Sequence, residues 1–373
     1  MLQVSAEEYE LRLALIRRGM VQLELDAILV YSWKRGQVRY ISGYKPNYVA
    51  NVALVVIPSS GAPTLLIRFP FDLERARRMS WLQDIRASGD FDGFARDCQK
   101  ILQKQGRKLK KIGLVSGDFV IDEMPHTLYE MLESAFPRSE LVPAVSLFEN
   151  ARLRKSPVEA QLMQESARVA DKTLTAAAQA AKMGVSECEV IAAAEATARS
   201  SGAEEVLSVI APAASELVSP PELRIIGEEE MLVAEFAVQV QGYYTQVPGV
   251  FHTGTPTDEQ RRMYEVAYQG YLAGVNAARP GNRVSDIARA ELAVLEESGW
   301  LEWHEYDLGH GDGLDHPEIP AITPDSEVRI EPGMALCVHP GLRKPGVGGV
   351  FVGGTVLVGE TETVQLHRVS PCL

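Results

Sequence analysis

Asp-Leu-Gly-His-Gly-Asp-Gly-Leu-Asp-His-Pro-Glu-Ile-Pro (307–320) is the stretch on which the chain turns. It continues as Glu-Pro-Gly-Met-Ala-Leu-Cys-Val-His-Pro-Gly (331–341) and as Gly-Val-Gly-Gly-Val-Phe-Val-Gly-Gly-Thr-Val-Leu-Val (346–358). Four of the seven histidines, His304, His310, His316 and His339, lie in it or just before it. Glycine is dense, which lets backbone approach a ligand closely. Histidine transfers protons near neutral pH. The combination predicts a site, with the rest of the chain as its support.

Outward from this stretch, 373 residues are too many for one ordinary core, so two domains are expected. A hydrophobic content of 46% and a charged content of 23% are those of a globular protein. The net charge of −13 argues against nucleic acid as a partner, because phosphate recognition needs surplus Lys and Arg. Cys98, Cys188, Cys337 and Cys372 form no C-x-x-C pair and match no zinc spacing, which fits a reducing compartment. The N-terminus lacks the apolar core of a secretory signal, and the longest apolar runs are strand-sized, so a cytoplasmic location without membrane contact is expected.

Periodicity predicts an amphipathic helix over 6–25, a buried strand over 26–31 and a short helix over 35–41 ending at the Ser42-Gly43-Tyr44 turn. Two strands over 51–58 and 63–68 flank a hairpin-type turn. A strand over 111–115 and a helix over 124–136 complete an α/β domain covering 1–150. Arg154-Lys155-Ser156-Pro157 opens the second domain, 151–373, with proline where a first helical turn tolerates it. Helices over 157–182 and 186–201 precede two strands, 231–240 and 243–251, joined at Gln241-Gly242. Helices over 257–278 and 285–298 follow, then strands to the end. Helices and antiparallel strands segregate, so the class is α+β.

The second half resembles the pita-bread family of methionine and proline aminopeptidases, prolidases and creatinase. The resemblance rests on Arg154-Lys155-Ser156 leading to Glu159, Gly184-Val185-Ser186-Glu187, Gly242-Tyr243, Gly254-x-Pro256-x-x-Glu259-Gln260 and Tyr264. It continues with Pro280-Gly281, Gly309-His310-Gly311-x-Gly313-Leu314 and Glu331-Pro332-Gly333-Met334. Residues 1–150, including Tyr40-Ile41-Ser42-Gly43-Tyr44, look like the smaller N-terminal domain of the prolidase and creatinase branch. The resemblance implies a pita-bread domain preceded by a small α/β domain, and a homodimer. It also implies five metal ligands, two Asp, one His and two Glu, holding two divalent ions. Their positions are occupied here by Glu235, Gln246, His310, His339 and Gly353. Two hard cations need carboxylates to offset and bridge them, so a dinuclear centre is not expected.

Creatinase is the metal-free branch, and Gly242-Tyr243-Tyr244-Thr245 and Gly346-x-Gly348-Gly349 look like its local sequence. Its principal catalytic histidine has no counterpart near Val218-Ser219. The expectation is therefore a metal-independent, creatinase-like hydrolase without cofactor, cleaving a C–N bond of a small polar nitrogen-containing substrate. Glu235, His310, His316, Glu318 and His339 are the expected proton-transfer groups. Tyr243, Gln246 and Arg343 would bind substrate, with Lys45 and Tyr48 of a partner subunit closing the pocket. Asp312, Asp315 and His304 read as loop residues. Alternatives are a lyase, cyclase or isomerase, a mononuclear Xaa-Pro dipeptidase-like metallohydrolase with the ion on His310, His339 and Gln246, and a peptide-binding protein without catalysis.

Overall fold

The computed structural model describes residues 4–368 other than 105, 107 and 119, so Cys372 lies outside the described residues. The chain divides into two compact units, Met1–Arg152 and Leu153–Leu373.

In the first unit, helix α1 (Ala6–Gln22) starts at Ser5, whose side chain accepts a hydrogen bond from the Glu8 N–H. Strand β1 (Ala27–Ser32) is wholly buried, followed by α2 (Gln37–Ser42), β2 (Ala53–Pro58) and β3 (Thr64–Ile67). Then come α3 (Leu73–Met79), β4 (Asp84–Ala87), α4 (Phe91–Gln103), β5 (Lys111–Val115), α5 (His126–Ala135), β6 (Glu140–Pro143) and α6 (Val145–Arg152). The strands form one mixed sheet in the order β4-β3-β2-β1-β5-β6. The β2–β3 hairpin expected from sequence is antiparallel, while β1–β5 and β5–β6 are parallel. Gly43 ends α2 at φ +78°, and a Cβ there would meet the Met79 carbonyl and the Tyr9 hydroxyl at 2.8 Å. The Ser-Gly-Tyr signature thus reflects a backbone constraint. It also seats buried Tyr44, whose hydroxyl bonds Asp72, itself paired with Arg75.

The second unit opens with α7 (Pro157–Ala180) and α8 (Glu187–Ser200), each begun by a reciprocal Ser/Glu capping box, Ser156 with Glu159 and Ser186 with Glu189. Strands β7 (Glu205–Pro212), β8 (Met231–Val240) and β9 (Tyr243–His252) form an antiparallel sheet. Gln241 and Gly242 both have positive φ, as the two-residue turn between β8 and β9 requires. Helices α9 (Asp258–Ala277) and α10 (Val284–Glu297) precede β10 (Gly309–Gly311), β11 (Glu318–Ala321), β12 (Ala335–Val338), β13 (Gly341–Lys344), β14 (Gly348–Phe351), β15 (Gly354–Val358) and β16 (Thr363–Gln365). A second antiparallel sheet runs β11-β10-β12-β15-β16, with β13–β14 as a separate hairpin.

Side-chain alternation divides β8 between two cores. Leu232, Ala234, Phe236 and Val238 pack with α7 and α8, whereas Met231 and Val233 pack with α9 and the β13–β14 hairpin. Glu235 shares the face of Met231 and Val233, and Gln246 shares that of Val250 on β9. On β12, Leu336 and Val338 pack with α9 and α10, which leaves Cys337 on the opposite face. No helix among the described residues is long and apolar enough to cross a membrane.

One core residue breaks the apolar rule. Glu291 on α10 is fully buried, and neither carboxyl oxygen has a hydrogen-bond partner among the described residues. Burial, reinforced by the Asp307 carboxylate, raises it well above its ordinary value of 4.5. The folded chain therefore holds the proton that the unfolded chain releases above about 4.5. The stability belonging to this neutral form is full below that pH and is lost as pH rises toward the folded value. Glu291→Met should accordingly gain on the order of 1 kcal/mol at pH 7.5, with the gain shrinking toward pH 4.5. Urea unfolding across this range checks it; a gain independent of pH would contradict it.

Candidate active site

Three neighbouring strands, β10, β12 and β15, form one side of the site, and their registers explain who meets whom. His310 on β10 stands opposite Cys337 on β12, which stands opposite Thr355 on β15. The Thr355 hydroxyl donates to the Asp312 carboxylate at 2.6 Å and accepts from the Gln246 N–H at 2.9 Å. The first bond anchors the loop after β10, and the second anchors β9. Asp312 also holds His316 Nδ1 at 2.9 Å, and His316 Nε2 lies 3.8 Å from Glu235. The His310 ring centroid is 5.0 Å from that of His316 and 5.1 Å from that of His339. Glu235, Gln246, His310, His316 and His339, expected together from sequence, thus converge from β8, β9, β10, the loop after β10 and the end of β12.

The three imidazoles are not alike. Burial pushes His310 and His339 down to about 4, so both are neutral at pH 7. Burial also opposes a charge on His316, but the hydrogen bond to Asp312 and the Glu235 carboxylate outweigh it, and His316 rises to about 9. Burial disfavours the Asp312 anion as well, yet His316 and Thr355 hold it below the usual carboxylate range. The centre therefore contains an Asp312–His316–Glu235 chain of alternating charge beside two neutral imidazoles.

Asp312 and Asp315, read from sequence as loop residues, lie in the loop after β10 but are buried, and Asp312 is at the hub. A polar residue between glycines gave no sign of this, since the partner that buries it lies 43 residues away. Glu318, expected to transfer protons, instead pairs with Lys155 at 2.9 Å and accepts from the Asp315 N–H. Tyr243, expected at the substrate, donates its hydroxyl hydrogen bond to Glu159 in the first turn of α7. The Arg343 guanidinium, expected to bind a substrate carboxylate, is engaged by Glu305. Lys45 and Tyr48 belong to the first unit, in the segment between α2 and β2, and Tyr48 is 94% exposed.

Three aromatic residues that sequence did not single out line the site. Tyr244 approaches His316 with ring centroids 6.1 Å apart. Tyr306 and Phe351 pack edge to face at 5.0 Å and both meet His339. Tyr306 has φ +94°, a strained conformation for a bulky side chain.

Several buried polar atoms have no hydrogen-bond partner among the described residues: Glu235 Oε2, Gln246 Oε1 and both ring nitrogens of His339. The Asp307 carboxylate lies 3.4 Å from His339 Nδ1. His310 Nδ1 meets the Gly311 carbonyl at 2.9 Å. A carbonyl can only accept, so Nδ1 carries the proton and Nε2 presents its lone pair, the arrangement of a metal-ligating histidine. Unsatisfied donor atoms of this kind fit one divalent cation. They do not fit two. Glu235 is the only carboxylate of the expected set, and Gly353 has no side chain to offer. A Cβ on Gly353 would strike the Val338 carbonyl at 2.1 Å.

Residues 161–360 match the sequence model of metallopeptidase family M24, and residues 12–154 match that of the creatinase/prolidase N-terminal domain. The Xaa-Pro dipeptidase of Lactobacillus delbrueckii subsp. lactis is 29% identical over 132 residues, 35% of this chain and 36% of that protein. The Xaa-Pro dipeptidase of Pyrococcus furiosus is 27% identical over 139 residues, 37% of this chain and 40% of that protein. These matches span about two fifths of the relatives' length. An uncharacterized peptidase of Bacillus subtilis, YqhT, is 23% identical over 94% of this chain and 96% of its own. The prolidase of Pyrococcus horikoshii OT3 superposes with a TM-score of 0.85 at 23% identity, covering 96% of this chain and 98% of that one. The architecture is the α+β pita-bread domain with a smaller α/β domain before it.

These findings correct the expectation of a metal-independent, creatinase-like enzyme. The matched family is one of metallopeptidases, and the relatives carry the names Xaa-Pro dipeptidase and peptidase. Loss of carboxylates was read as loss of metal, whereas the unpartnered imidazole and amide atoms are themselves donors.

The structural role of Glu318 is open to test. Both ends of its pair with Lys155 are buried, with 2% of the Lys155 side chain and 7% of the Glu318 side chain exposed. Removing the buried Lys155 cation takes its charge partner from the Glu318 carboxylate, so Lys155→Met should cost about 3 kcal/mol. Adding Glu318→Gln should return part of it. Thermal unfolding of the single and double variants measures both, and a neutral Lys155→Met would remove Glu318 from this role.

Proposed function

The chain belongs to metallopeptidase family M24, and from this we propose that it is a prolidase-type hydrolase of small dipeptide-like substrates, Xaa-Pro dipeptides first among them, working with one divalent ion. The observation that carries this reading is a set of buried donor atoms without a hydrogen-bond partner among the described residues, Glu235 Oε2, Gln246 Oε1 and the His339 nitrogens, with the His339 ring 5.1 Å from that of His310. His310 and His339 would hold the ion. When bound, it supplies Lewis acidity for amide hydrolysis.

The chain's own groups divide the remaining work. His316, cationic up to about pH 9, offers positive charge to a substrate oxygen, either the terminal carboxylate or the carbonyl that gains charge during attack. Asp312 holds its ring in place through Nδ1. Glu235 is the buried carboxylate available to accept a proton at the reacting centre. Tyr306 and Phe351 wall His339 from solvent, which strengthens each charge interaction inside. A homodimer belongs to this reading, with Lys45 and exposed Tyr48 contributed across the subunit boundary; the 94% exposure of Tyr48 supports it.

The purified chain, loaded with one equivalent of zinc, cobalt or manganese, should release proline from a panel of Xaa-Pro dipeptides. Glu235→Gln should lower kcat by about 100-fold or more, and His310→Ala should lower it at least as far. No proline release with any of these ions, or full activity in Glu235→Gln, would overturn the proposal.

A further inference from the structure

We infer that Cys337 is a ligand of the ion held in this pocket, making the donor set nitrogen and sulfur rather than the carboxylates of a hard-metal centre. One ligating atom each from His310, Cys337 and His339 lies within 4.8 Å of the others, and all three residues are buried. The inference rests on the reading that one ion occupies the pocket, and it specifies the chemistry of that ion.

A buried cysteine is ordinarily a small apolar core residue, and Cys98 is one. It sits in the apolar cluster of the first unit with Leu102, Leu128 and Leu132. Cys337 is placed differently. Its strand neighbours Leu336 and Val338 enter the core with α9 and α10, while Cys337 faces the other way. Its cross-strand neighbours are His310 and Thr355. His339, two residues on, is fully buried, and neither of its nitrogens has a hydrogen-bond partner among the described residues. His310 presents Nε2, its Nδ1 being occupied by the Gly311 carbonyl. Two imidazole nitrogens and a sulfur therefore point into one volume.

A second grouping, His310, Asp312 and His316, is equally compact. There, however, Asp312 and His316 are bonded to each other and Asp312 to Thr355. Binding through them would break a satisfied charge chain, whereas binding through His339 engages a ring that has no hydrogen-bond partner among the described residues.

The donor set selects the metal. Thiolate and imidazole favour borderline, thiophilic ions such as zinc and cobalt over oxygen-seeking manganese, magnesium or calcium. Three protein ligands with a position left open is the pattern of a catalytic zinc site. Zinc–sulfur and zinc–nitrogen bonds of about 2.3 and 2.0 Å put tetrahedral ligand atoms about 3.5 Å apart, so the three atoms close inward on binding. Coordination releases the Sγ–H proton to solvent.

Cobalt(II) added anaerobically to the metal-free full chain tests this directly, because thiolate coordination gives a near-ultraviolet sulfur-to-cobalt charge-transfer band. The band should saturate at one cobalt per chain. It should vanish in Cys337→Ser and in Cys337→Ala, with affinity weaker by on the order of tenfold or more. It should persist in Cys98→Ser, and manganese should fail to displace the cobalt. Saturable cobalt binding without the band in the wild-type chain would overturn the inference without recourse to any variant, as would a band that survives in a folded Cys337 variant. Dipeptide hydrolysis is scored separately. A band without hydrolysis sinks the functional reading and keeps the ligand, and hydrolysis without a band does the reverse.

Discussion

Everything at the centre of the second unit depends on the hydrogen bond by which Thr355 holds the buried Asp312 carboxylate. An isolated carboxylate in a site so closed would protonate rather than stay charged. Thr355 supplies one donor and His316 another, and the result is an anion that keeps His316 cationic. The same hydroxyl receives the Gln246 N–H, so β9, β15 and the loop after β10 are pinned at one point. The charge order then fixes the rest. His316, positive, sits against Glu235 on β8, and the two remaining imidazoles, where burial outweighs the nearby carboxylates, stay neutral. A pocket with charged and neutral imidazoles 5 Å apart can donate at one side and ligate at the other.

Much of this was legible in the sequence. The 3.6-residue periods, the Ser-x-x-Glu caps at Ser156 and Ser186, and the Gln241-Gly242 turn located α7, α8 and the β8–β9 hairpin, because each is a local signal. Strand β4 carried no comparable signal. It is four residues long and half-exposed, with Asp84 and Arg86 paired to each other. At the site, Glu235, Gln246, His310, His316 and His339 stood out because they are polar residues in apolar or glycine-rich surroundings. What could not be read was pairing at long range. Glu318, Tyr243 and Arg343 have the right chemistry for a substrate site, yet Lys155, Glu159 and Glu305 use them structurally. Asp312 and Cys337 were passed over because nothing in their immediate sequence shows that β10, β12 and β15 lie side by side.

Gly353 shows how tightly β12 and β15 pack beside the pocket. It holds φ +153° and packs its Cα hydrogens against the Val338 carbonyl and the His339 backbone. A carboxylate side chain at this position would need the β12–β15 contact to open by more than an ångström. The neighbouring Val338–Gly354 and Cys337–Thr355 pairings would have to yield with it. At the position where the resemblance implies a carboxylate, the two strands are thus packed too closely for any side chain. His339 is fully buried at the end of β12, so the imidazole and the closed backbone form one arrangement. The negative charge left at the centre suits one divalent ion and falls short of two.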